Sequence, residues 1–241
     1  MELSPDNIVY WESGFVTINA TLVFSWVVMA ILVIGSFLIT RNLSTDTRMS
    51  RWQNALETII VFIQDQIRDI TQSNPRPLLS FIATLFLFIG LANLLSVVPG
   101  YEPPTGSLST TIALALCVFV AVPIYGIAQQ GVLGYLRNYI EPTVIMLPFN
   151  IISEVSRTVA LAIRLFGNIM SGRILVAIML SIIPLFIPTV LQVLDLIIGL
   201  IQAYIFAILA TVYIGSGTRQ MSEDDDPGEA QREADSKQAQ A

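Results

Sequence analysis

The sequence predicts an all-α integral membrane protein with five transmembrane helices and one amphipathic interfacial helix. The last two spans are expected to be long, tilted and folded against each other as a hairpin. Three observations lead there. Of the 241 residues, 54% are hydrophobic and only 12% charged, with a mean hydropathy of +0.70, whereas soluble domains carry about 25% charged residues. Apolar runs recur at lengths that cross a bilayer, which takes about 20 helical residues. Most arginines and both ends of the charge distribution fall between those runs, at the positions where a chain leaves lipid.

The elements follow in chain order. Residues 1–15 are polar, contain Pro5, and lack the basic start of a secretion signal; they are expected to form an outer N-terminal segment. Residues 16–40 are apolar and long enough to span. After the charged connection RNLSTDTRMSRWQ, residues 52–70 place Trp52, Leu56, Ile59, Ile60, Ile63 and Ile67 at helical spacing among Glu57, Asp65, Arg68 and Asp69. That pattern predicts an amphipathic helix lying at the interface or packed on the other helices. A second span runs from about 78 to 98 and stops at Pro99-Gly100; the turn cluster YEPPTGS follows. A third span covers about 108–130, and GVLGYLRNYIEP reads as a short polar link. From Val144 to Ile183, and again from Pro188 to about Gly217, no glycine-proline cluster interrupts the apolar pattern. Forty helical residues would reach roughly 60 Å, about twice the hydrocarbon thickness, so these two spans are expected to tilt.

Basic residues orient the chain. Arg41, Arg48, Arg51, Arg68 and Arg76 lie between the first and second spans, Arg137 follows the third, and Arg219, Arg232 and Lys237 follow the last. Residues 99–107 and the region around 184–190 contain none. The positive-inside rule then puts the N-terminus outside and the C-terminus in the cytoplasm, which requires an odd number of spans. The low isoelectric point of about 4.6 is no sign of an acidic surface over the whole protein. Seven of the 18 acids sit between Glu223 and Asp235, in a tail from 218 to 241 with too little apolar surface to fold. The single cysteine, Cys117, lies in an apolar run and is expected to be buried or lipid-facing. With no histidine in the chain, any proton chemistry falls to carboxylates, water or a partner's groups.

The polar residues inside the last two spans are the candidate functional groups. LAIRLFGNIMSGR, residues 161–173, holds two arginines and no acid, lysine or histidine. At 100° per residue Arg157, Arg164, Asn168 and Ser171 share one helix face, and Arg173 points away from it. Asp195 and Gln202, seven apart, share a face of the following helix. An arginine at mid-bilayer costs roughly 2.5–3.5 kcal/mol on insertion scales, so it normally faces a partner or a water-filled cavity. Arg157 is near enough to the helix end to snorkel; Arg164, with apolar-rich sequence on both sides, is not. Arg173 and Asp195 are expected to form an ion pair or a water-bridged contact.

At these residues the chain resembles subunit a of the F-type ATP synthases, the stator channel beside a rotating ring of c subunits. RLFGN at 164–168, IQAYIFAILATVYIG at 201–215, the lead-in PTVIMLPFNIISEVSRTVALAIRLFGN and the five-span layout carry the resemblance, which covers about residues 16–217. The resemblance implies a membrane ion-channel domain with two half-channels, moving H+ or Na+ to and from ring carboxylates. It casts Arg164 as the essential ring-facing cation, and Asn168, Arg173, Asp195, Gln202 and Ser107 as channel-lining groups. The implied partners are the c ring, b-type peripheral stalk subunits and the catalytic F1 sector, in a bacterial inner membrane or a thylakoid-type one. Three positions depart from the family's pattern. Arg173 stands where many members have an acid or histidine, Asp195 where others have histidine or glutamate, and Ser107 where an aspartate is frequent. The relay is thereby reduced to Asp195, which leaves both protons and a sodium-coupled N-type branch open.

Nothing in the chain points to nucleotide chemistry of its own, since Walker A, HExxH and GxSxG patterns are absent, and no cofactor or metal is expected. The alternative reading, a secondary transporter, would call for inverted repeats with paired interrupted spans. The first half holds no second copy of the RLFGN region.

Overall fold

The computed structural model describes residues 9–13, 16–41, 51–71, 76–98, 100–140, 146–183 and 186–219. The described elements are six α-helices, two 3-10 turns (Leu95–Val97 and Pro104–Gly106) and one short hairpin: β1 (Val9–Ser13), β2 (Val16–Asn19), α1 (Ala20–Thr40), α2 (Arg51–Thr71), α3 (Arg76–Leu94), α4 (Leu108–Ile140), α5 (Met146–Ile182) and α6 (Phe186–Arg219). All but α2 contain a stretch long and apolar enough to cross a membrane, which makes five candidate spans among the described residues. The chain is a multi-pass membrane protein. The tail from 220 to 241 lies outside the described residues.

The start of the chain differs from expectation. Val16, Thr17 and Ile18 open no helix but pair antiparallel with β1, Trp11 opposite Ile18 and Ser13 opposite Val16. β-branched side chains favour this pleated geometry, and α1 starts only after Asn19, whose backbone is still extended. The third span ends where predicted, at Ala128, but the link after it is helical. Gly131 takes φ +76°, a conformation that costs glycine little, and the chain resumes helix as far as Ile140 instead of forming a loop.

The core forms around α6, which packs on α2, α3, α4 and α5. Lipid tails are as apolar as leucine, so close backbone approach and dispersion hold such helices together. α6 supplies small residues for that purpose: Ala203, Ala207 and Ala210 are buried, and the Cβ of Ala203 lies 3.9 Å from where a Cβ on Gly90 of α3 would stand. Phe206, fully buried, fills the centre. α3 answers with Leu78, Ile82, Leu85 and Ile89, α4 with Ala115, Val118 and Val122, and α5 with Leu161, Leu165 and Ile169. Each set repeats at three or four residues, the spacing of a single helix face. α1 buries only Ala20, Thr21 and Val28, and exposes most of its apolar side chains. Cys117 is likewise exposed, on α4.

The amphipathic segment is packed, not solvated. α2 turns Ile63, Ile67 and Thr71 inward and leaves Glu57, Asp65, Arg68 and Asp69 exposed. The Tyr204 hydroxyl of α6 donates to Gln66 Oε1 at 2.7 Å, and the rings of Phe62 and Tyr204 lie 5.7 Å apart.

α5 and α6 are the two long helices the sequence predicts, 37 and 34 residues, packed against each other as a hairpin. At 1.5 Å per residue they reach about 55 and 51 Å, well beyond a hydrocarbon core of about 30 Å.

Candidate functional site

α5 divides its polar residues between two environments. Leu161, Leu165 and Ile169 point into the core, and Arg164, between two of them in sequence, is turned outward and exposed. Arg157 and Ser171 are exposed as well, and Asn168 is half-buried. A Cβ built on Gly167 would meet nothing within 4 Å. This face of α5 is therefore open, with a guanidinium standing on it. Leu161, which neighbours this stripe on the helix, is buried and marks its edge. Arg157 is held close to α6, its Cζ 5.7 Å from the centre of the Tyr213 ring, a cation–π contact suited to a guanidinium near apolar surroundings.

The second environment is a cavity of about 400 Å³ at the other end of the same helix stretch. Its walls come from Asn93 near the end of α3, Ser96 in the turn after it, the segment 101–103, α5 from Ile169 to Leu180, and α6 from Gln192 to Gly199. Asn93 ties the walls together: Nδ2 donates to the Gly199 carbonyl at 2.8 Å, and its Oδ1 accepts from Thr105 Oγ1 at 3.2 Å. Phe24 of α1 packs edge-on against Tyr101, with ring centres 4.9 Å apart, so the start of the first span closes over the same loop. Tyr101 lines the cavity, and burial raises its phenol well above the ordinary value despite the lowering field of Arg173. It stays protonated, and its buried hydroxyl has no protein partner among the described residues.

Arg173 and Asp195 both line this cavity, but their direct contacts differ from the expected pair. The Arg173 guanidinium forms its ion pair with Glu102, through Nη2 and Oε2. The reason is the loop: Gly106 lies so close that a Cβ there would stand 3.3 Å from Arg173 Nη1, which places the adjoining Glu102 within reach. Asp195 sits in a notch over Gly172, where any Cβ would collide with its Oδ1. Arg173 still acts on Asp195 through its charge.

Two other expected channel residues are placed elsewhere. Ser107 is fully buried where the loop enters α4, its carbonyl accepting from Thr111 N at 3.2 Å, and is no part of the cavity wall. Gln202 is buried one helix-face repeat beyond Asp195, with no hydrogen-bond partner for Nε2 among the described residues. Sequence reasoning missed Glu102, Asn93, Tyr101 and Gln192. Glu102 carried a signal, being the one acid in the segment 99–107. Asn93 gave none, because a lone amide near a helix end has no pattern.

The cavity approaches the open face closely. Ile169, in its wall, is five residues from Arg164, about 7.5 Å along the helix axis. A guanidinium is thus exposed at the middle of a long apolar helix, and charged groups at such depth normally face a partner or a water-filled cavity.

Comparison with known proteins identifies the family. The family described as the ATP synthase A chain matches residues 22–215. A chain from Crocosphaera subtropica named ATP synthase subunit a 1 is 62% identical over 217 residues, 90% of this chain and 94% of its own length. The ATP synthase subunit a of Albidiferax ferrireducens is 57% identical over 229 residues, 95% of this chain and 99% of its own. One from Chlorobaculum parvum, named ATP synthase subunit a 1, is 58% identical over 219 residues, covering 91% and 97%. With the match running through every described span and across both the open face and the cavity, the chain belongs to the ATP synthase subunit a family.

Proposed function

We propose that this chain is the stator channel of a rotary ATP synthase membrane sector, passing H+ or Na+ to and from carboxylates on a ring of c subunits. The exposed Arg164 carries the reading. A permanent cation on an open helix face stabilises a charged carboxylate that arrives there from lipid, and so favours release of the ion that carboxylate carried. Guanidinium does not lose its proton inside proteins, so it blocks direct passage between the two access paths and the ion must travel with the ring. Asn168 on the adjoining surface and Gln202, with its buried orphan donor, are suited to orient that encounter.

The cavity lined by Asp195, Arg173 and Glu102 serves as one access path. It lies at the end of the bundle where α1 begins, and Arg41, Arg76 and Arg219 mark the opposite end. By the positive-inside rule the cavity opens outward and the C-terminus is cytoplasmic, in a bacterial inner membrane. The polar face of α2 and the basic helix ends are suited to b-type stalk subunits, and the catalytic sector is reached through the complex.

The test is Arg164→Ala and Arg164→Lys in the assembled complex, reconstituted in vesicles. ATP-driven ion pumping should vanish in both while assembly persists; pumping at wild-type rates in either variant would refute the assignment.

A further inference from the structure

The cavity holds three charged side chains, two acids and one guanidinium, supplied by a loop and two helices. Glu102 lies on the loop, Arg173 on α5 and Asp195 on α6. Their arrangement is asymmetric. Arg173 is drawn to the loop side, paired to Glu102, with its Nη1 3.3 Å from where a Cβ on Gly106 would stand. Asp195 is seated over Gly172, the residue before Arg173, and successive helix positions diverge by 100°. Asp195 has no hydrogen-bond partner among the described residues.

We infer that Glu102 is a positioning residue for ion entry: it holds the Arg173 guanidinium at the loop wall, so that the Asp195 carboxylate serves the passing cation. The inference rests on the cavity being an access path. With the pair made, the three groups sum to one negative charge, which draws a monovalent cation into the cavity. Without Glu102 the part-buried guanidinium would lose the carboxylate it is paired with, which is costly. Arg173 is long and flexible, and the second carboxylate of the cavity is Asp195. The guanidinium would turn to it, the cavity would become neutral, and the carboxylate would be occupied. Glu102 thus does not need to touch the ion to control its passage.

The roles separate in a four-variant comparison on the whole complex in vesicles: Glu102→Gln, Glu102→Asp, Arg173→Gln, and Glu102→Gln with Arg173→Gln. Initial rates of ATP synthesis driven by an imposed ion gradient are followed against pH and against Na+ on the side to which the cavity opens, which distinguishes the two cations. Glu102→Gln should slow gradient-driven synthesis by roughly tenfold or more and raise the ion concentration needed on the cavity side for half-maximal rate. Glu102→Asp should retain most activity. The double variant, with no guanidinium left to occupy Asp195, should recover to within about threefold of wild type. Wild-type kinetics in Glu102→Gln would overturn the inference, as would a double variant no better than Glu102→Gln. So would failure of both Glu102→Gln complexes to assemble, which would make the pair a folding element. Arg164→Lys run alongside keeps the two readings apart. Gradient-driven synthesis by that variant would refute the stator reading itself, whereas its silence with normal Glu102→Gln refutes only the role of Glu102.

Discussion

Gly172→Ala separates position from stability. Only a hydrogen at Cα lets the Asp195 carboxylate rest against α5: a Cβ at residue 172 would collide with Oδ1 and stand 2.6 Å from Cγ. Carbon atoms settle at about 3.5 Å or more, so Cγ must retreat by about 1 Å and the carboxyl oxygens further. The obstructing group is the free end of a short side chain facing a cavity, which can swing without moving either helix. The fold should therefore lose little, about 1 kcal/mol, at the low end of overpacking costs. Transport should lose much more, because a misplacement of about 1 Å at a transfer group can cost on the order of 100-fold in rate. The assay is ATP-driven pumping in vesicles, read beside thermal unfolding of the detergent-solubilised complex. Gly35→Ala is the control. It lies in α1 with nothing within 4 Å of its new methyl group, and helix propensity makes alanine neutral or favourable there by up to about 1 kcal/mol. Pumping by Gly172→Ala equal to that of Gly35→Ala would refute the notch as the seat of a working carboxylate.

Two further expectations concern single groups. Tyr204→Phe removes the 2.7 Å hydrogen bond to Gln66, and should lower thermal stability of the complex by about 1 kcal/mol while leaving pumping intact; a pumping defect would show that α2 takes part in transport. Tyr101 has its phenol raised by burial, so the folded state favours the protonated form and that contribution is complete below the unfolded value of about 10. It is lost as pH rises above about 10 toward the higher folded value, so alkaline unfolding should be blunted in Tyr101→Phe. An unchanged alkaline limb would show that the phenol titrates freely.

Composition and periodicity by themselves determined the solvent, the five spans, the length of α5 and α6, and the apolar face of α2. These properties depend on how residues repeat along one helix; Leu161, which that repeat puts on the face of Arg157 and Arg164, is instead buried. The same local logic failed at the β-branched residues 16–18, which pair as a strand, and beyond Gly131, where the expected link is helical. Only the tertiary structure decided which charges meet. Arg173 and Asp195 are 22 positions apart and Arg173 and Glu102 are 71 apart; nothing in either spacing ranks one pair above the other. The choice follows from how closely backbones approach. Gly106 lets the loop descend onto the guanidinium, and Gly172 lets the carboxylate settle against α5. Asn93, bound to the carbonyl of Gly199 across the cavity, belongs to the site for the same reason: a hydrogen-bond partner 106 residues away exists only once α3 and α6 are packed.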